Sequence, residues 1–116
     1  MNGSYILNIR DLACKNRAYL EVVSTNLSQV TIMHLIPGEE IGSEIHAEVD
    51  QQIIVMDGKG TSILGGLRTK VETGDMITVH AGTQHNVIAD RGVALGVFTV
   101  YSGPEHPVNE FKERKD

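Results

Sequence analysis

Apolar and polar positions alternate in short bursts along this chain, and turn residues separate the bursts. Runs such as QVTIMHLI at 29–36 and GVFTVY at 96–101 are rich in β-branched side chains, the composition of strands rather than helices. The pattern predicts strands at 5–9, 18–23, 29–36, 44–47, 52–56, 61–64, 68–72, 76–79, 85–89 and 93–101. Asp57-Gly58 and Gly65-Gly66 supply the positive-φ residues of tight hairpins. Thr73-Gly74-Asp75 and Ala81-Gly82-Thr83 read as further turns. No stretch keeps a helical period over three turns, and residues 11–17 read as a helical turn or a loop. Short strands with frequent turns predict an all-β sandwich or barrel. One domain is expected over residues 1–107, followed by a charged, solvated tail at 108–116.

Composition narrows the function classes. A length of 116 residues suits one domain with a core that needs no covalent staples. The net charge of −5 and pI near 5.4 argue against a nucleic-acid surface. An aromatic content of 4% leaves few platforms for stacking single-stranded bases. Cys14 is a single cysteine, which fits a reducing cytoplasm and reads as a packed or surface thiol. The first ten residues lack the basic start and apolar run of a signal peptide, and no run approaches the ~20 apolar residues of a membrane span. A soluble, cytoplasmic protein with no membrane partner is expected.

The chemistry concentrates in Glu44-Ile45-His46, Gln51 and the distant His85. In extended backbone, alternate side chains share a face, so Glu44 and His46 address one spot. Two imidazoles and a carboxylate make a metal-site composition, and Gln51 adds a carboxamide oxygen as a fourth donor. The alternative is a half-exposed strand carrying unconnected polar residues.

Glycine spacing around these residues resembles the two motifs of the cupin superfamily. Residues 37–60 read PGEEIGSEIHAEVDQQIIVMDGKG and residues 74–89 read GDMITVHAGTQHNVIA. Against the first motif, Gly38 opens, Glu44 stands at the first histidine position, His46 at the second, Gln51 at the glutamate position, and Gly58 closes. Against the second, Gly74, Gly82 and His85 match, while His80 replaces the proline and Ala89 the asparagine. Asp50-Gln51 and the ending Tyr101-Ser102-Gly103-Pro104-Glu105-His106-Pro107 resemble a subgroup of short bacterial-type cupins.

The resemblance implies a double-stranded β-helix, or jelly-roll barrel, with a metal held by Glu44, His46, Gln51 and His85. The carboxylate has moved from the glutamate position to the first histidine position, so the ligand set keeps one negative charge. One imidazole is replaced by an amide oxygen, which tilts the site toward Mn, Fe or Zn rather than Cu. The implied function is metal-dependent work on a small molecule (a sugar or a hydroxy- or keto-acid) as isomerase, lyase or oxygenase, with His80 as the acid or base. The alternative is a non-catalytic ligand-binding or sensing cupin with a degenerate metal site.

Other residues carry blander readings. His34 reads as packed or at a rim, and either face of its strand can line the barrel. Asp50 is placed to orient a ligand from behind. His106 lies in a Pro-rich turn that either covers the pocket or forms a surface loop. Small cupins are usually dimers, so a homodimer is expected, with exchange of residues 5–9 as one route.

Overall fold

A computed structural model describes residues 6–13, 19–104 and 111–112. The chain forms α1 (Ile9–Ala13), β1 (Tyr19–Ser24), β2 (Gln29–Leu35), β3 (Gln51–Leu64) and β4 (Leu67–Glu72). It continues with β5 (Met76–Val79), β6 (His85–Ala89), β7 (Leu95–Tyr101) and β8 (Phe111–Lys112). Among the described residues, every strand pairing is antiparallel. The all-β expectation therefore holds, and β5 and β6 run over the predicted residues.

Three expectations require correction. Residues 52–56 and 61–64 belong to one 14-residue strand, β3, and Asp57-Gly58 is no hairpin turn. Residues 51–58 pair with β7, residues 51–54 also with β5, residues 59–64 with β4 and residues 60–64 with β6. The positive φ of Gly58, +107°, serves a register shift between Val55 and Asp57 at this change of partners. A Cβ there would come within 2.0 Å of the Ala94 carbonyl oxygen, so glycine also permits the close approach of β7. Residues 44–47 form no strand; only Glu44 makes an isolated bridge, to His85.

The third correction is at the N-terminus, where residues 6–8 are not a strand and Ile9 opens α1. Asn8 caps that helix: its Oδ1 accepts the Asp11 N–H at 2.9 Å, and its carbonyl accepts from Leu12. Tyr5, Cys14, His106 and most of the charged tail lie outside the described residues. Within that tail, Phe111–Lys112 pairs with β1.

Register shows how the interior is built. Across β2, β7 and β3 the directly opposed residues form rows, and opposed residues share a face. Gln29, Tyr101 and Gln51 form one row, and Thr31, Thr99 and Ile53 the next. Met33, Val97 and Val55 follow. All of these are buried except Met33, which is partly buried against the core. The interior thus changes from polar to apolar within two rows. The apolar part is one cluster that includes Leu35, Ile53, Val55, Val71, Ile77, Val87 and Leu95, drawn from strands on both sides of the change in β3.

A second cluster joins Ala13, Val22 and Ile32, with Ile9, Leu12, Val30 and Phe98 packed against it. Ile32 and Val30 alternate with the inward Thr31, so this cluster lies on the outer face of β2, under α1. His34 shares that outer parity and is half-buried, while the face of Thr31, Met33 and Leu35 lines the interior.

Candidate metal centre

The polar end of the interior gathers the residues singled out by their chemistry. One donor atom each from Glu44, His46 and His85 lies within 4.8 Å of the other two. Both histidines are buried, while the Glu44 side chain is 37% exposed and its Oε1 lies 3.7 Å from His46 Nε2. The two imidazole centroids are 5.1 Å apart.

Each donor is positioned by a different element. His85 begins β6, inward like Val87 and Ala89. Its Nδ1 lies 3.0 Å from the Thr83 carbonyl oxygen, which can only accept, so in the neutral ring Nδ1 carries the proton and Nε2 presents a lone pair. That Nε2 is buried with no hydrogen-bond partner among the described residues. Glu44 is fixed against His85 by two backbone hydrogen bonds of 2.9 Å, one in each direction. His46 follows in irregular chain, where its carbonyl accepts the Gly82 N–H at 2.8 Å and its ring meets Tyr101 edge-on at 5.3 Å.

Gln51 opens β3 in the same row as Tyr101. Its Oε1 is buried without a hydrogen-bond partner among the described residues. A buried carbonyl oxygen left in that state is destabilising unless something meets it. Nε2 of His85 stands with the Glu44 carboxylate and the His46 imidazole in a group able to hold a divalent cation, and Gln51 Oε1 is a second buried donor atom without a partner among the described residues. The set carries one formal negative charge and only nitrogen and oxygen donors, a composition suited to a divalent cation.

Asp50 supports the same region through its backbone and side chain. Its Oδ1 accepts the Ala81 N–H at 2.9 Å, its N–H donates to Ser102 Oγ at 2.8 Å, and its carbonyl accepts from Ser102 N–H. The turn that leads into His85 is thereby tied to the segment that carries His46. His80 is exposed on that turn, where its carbonyl accepts from the Thr83 N–H, and it stands outside the three-donor cluster.

Sequence reasoning missed the polar wall beside the donors. Gln29, Thr31, Thr99 and Tyr101 are buried there, and Thr31 and Thr99 share a hydrogen bond of 2.7 Å between their Oγ1 atoms. Alternation alone left both faces of β2 open, because each carries apolar residues. Asn86, which binds Gly42 and Glu40 across from β6, was also missed.

Comparison with known proteins agrees with this architecture. The cupin-domain family model matches residues 31–101. The Bacillus subtilis protein YrkC, itself uncharacterized, is 33% identical over 96% of this chain. An uncharacterized protein of Acanthamoeba polyphaga mimivirus is 34% identical over 98% of it. The chain spans 63% of the length of the first and 74% of the second. The crystal structure of BH2720 from Bacillus halodurans is 29% identical, with a TM-score of 0.90 over 95% of this chain and 89% of that one. A Klebsiella pneumoniae protein with a double-stranded β-helix domain superposes with a TM-score of 0.76 over 97% of this chain and all of its own, at 22% identity, and bears on the fold alone.

Proposed function

This chain belongs to the cupin family, and from that premise we propose that it binds a divalent transition metal (Mn, Fe or Zn) and uses it on a small oxygen-bearing molecule. The donors are Glu44, His46 and His85, with Gln51 as the fourth. The observation that carries the reading is the convergence of a carboxylate and two buried imidazoles at the polar end of the interior. The partnerless Nε2 of His85 and Oε1 of Gln51 support it.

When bound, the ion would supply Lewis acidity toward a carbonyl or hydroxyl oxygen, as an isomerase or lyase requires, whereas an oxygenase would require iron and dioxygen instead. The protein's own residues supply the rest. Thr83 fixes the proton of His85 on Nδ1, and Tyr101 packs against the His46 ring. Gln29, Thr31 and Thr99 give the neighbouring wall hydrogen-bonding capacity, and the apolar rows beyond it exclude water. His80, exposed on the adjoining turn, exchanges protons with substrate or solvent in this reading.

The test is the metal content of the protein as purified, beside a Glu44→Ala variant. Near-stoichiometric metal that is lost in the variant supports the reading. Protein that stays metal-free after reconstitution with Mn, Fe and Zn refutes it.

A further inference from the structure

Residues 40–44 have no regular strand of their own, yet they run along β6. Glu40 bridges to Ile88 and Glu44 to His85. Between those pairs stand Ile41, Gly42 and Ser43 on one side and only Asn86 and Val87 on the other. One residue is in excess, which makes this a β-bulge.

That extra residue decides where Glu44 points. On β6, His85, Val87 and Ala89 face the interior, so Ile88 has outer parity, and its partner Glu40 shares that outer face. Strict alternation would place Glu44, an even number of residues later, on the outer face with Glu40. Ser43 would then stand against His85. The bulge reverses the parity and sets the carboxylate of Glu44 inward.

The bulge is held by specific groups. Gly42 adopts φ +104°, where a side chain would be strained. Its N–H donates to Asn86 Oδ1 at 2.9 Å, in place of a ladder carbonyl. Asn86 Nδ2 donates to Glu40 Oε1 at 3.1 Å, and Gln84 Nε2 donates to Ser43 Oγ at 2.7 Å. Gln84, immediately before β6, and His85 and Asn86, its first two residues, therefore all grip the segment that carries Glu44.

We propose that the Gly42 bulge, pinned by the Asn86 side chain, is the device that turns Glu44 into the metal site, making Asn86 a positioning residue for that ligand. This inference rests on the metal reading above, so its test has a metal-independent arm. Glu44 and His85 form a hydrogen-bonded antiparallel pair, whose Cα atoms lie about 5.5 Å apart, within the range a disulfide spans. In a Cys14→Ser background, Glu44→Cys with His85→Cys should cross-link on mild oxidation. Adding Asn86→Ala should lower the yield and raise that of Ser43→Cys with His85→Cys.

The second arm measures zinc affinity by competition with a chromophoric chelator. Asn86→Ala should weaken binding about 10–100-fold, the range for loss of a group that orients a ligand. In a Glu44→Gln background the same change should cost less than about 2-fold, because the effect acts through Glu44. Exchanging the pair, Asn86→Asp with Glu40→Gln, keeps an acceptor for Gly42 and an amide–carboxylate contact, and should hold affinity within about 3-fold of the parent. If Asn86→Ala does not fold, the exchanged pair decides, since loss of affinity there refutes the pinning. Equal losses in both backgrounds, or cross-linking indifferent to Asn86→Ala, overturn the proposal. A parent protein that binds none of Mn, Fe and Zn while the cross-link follows Asn86 removes the metal reading and leaves the bulge standing.

Discussion

Thr31 and Thr99 offer a sharp test of how the interior changes from polar to apolar. They are opposed across β2 and β7, fully buried, with Oγ1 atoms 2.7 Å apart. Thr31→Val preserves the shape of the side chain but strands the Thr99 hydroxyl, and Thr99→Val does the converse. An orphaned buried hydroxyl costs about 1–3 kcal/mol, whereas replacing both partners by apolar groups of like shape is close to neutral. Each single variant should therefore lose about 1–3 kcal/mol, and the double variant less than about 1 kcal/mol. An unfolding entropy of about 2 cal/mol/K per residue converts the single losses to a fall in Tm of about 4–12 °C. The assay is thermal and urea unfolding of the four proteins in chelator-treated buffer, with constant m-values confirming that only stability changed. A double variant that falls as far as the two singles combined would refute the coupling. Zinc affinity should stay the same in the double variant, because neither hydroxyl belongs to the donor set.

Four further outcomes are expected. Gly58→Ala should be destabilised by several kcal/mol, because strain at φ +107° adds to a 2.0 Å approach to the Ala94 carbonyl. Gly82→Ala, at φ +85° with nothing within 4 Å, should lose only about 1 kcal/mol in urea titrations. Gln51→Leu should leave the metal-free protein as stable or more so, since Oε1 already lacks a partner among the described residues, while zinc affinity falls; a lowered metal-free Tm would count against this. Free zinc at 100 times its Kd should add about 2.7 kcal/mol, a rise of roughly 11 °C in Tm that a chelator reverses.

Much of the site was legible because its geometry is local or tied to glycine spacing. Glu44 and His46 stand two residues apart and do share a target, although residues 44–47 form no strand, and Gly82 and His85 follow in a turn whose form the residues announce. Gly65-Gly66 does close the β3–β4 hairpin, its Gly65 N–H donating to the Gln84 carbonyl. Asp57-Gly58 misled because a positive φ suits a register shift as well as a turn, and sequence alone does not say which partner strands await on either side. The helix start was legible in principle: Asn8 stands three residues before Asp11, a capping arrangement overlooked in favour of an apolar alternation at 5–9. The polar rows were beyond reach, since the pairing of Gln29, Tyr101 and Gln51 joins residues far apart in the chain and depends on registers that only the folded strands set. The parity of Glu44 was right for a reason the sequence hid. Its inward direction depends on one surplus residue opposite Asn86.

The second apolar cluster gives the molecule two levels of opening. Separation of α1 from the outer face of β2 would expose Ala13, Val22 and Ile32, whereas His46, His85 and Glu44 stand outside that cluster. A bound ion protects only those fluctuations that dismantle its donors. Amide exchange should accordingly slow on zinc loading along β6, β7 and the first half of β3, and stay unchanged at the amides of α1. The outer layer would then loosen and close on its own timescale, without releasing what the interior holds.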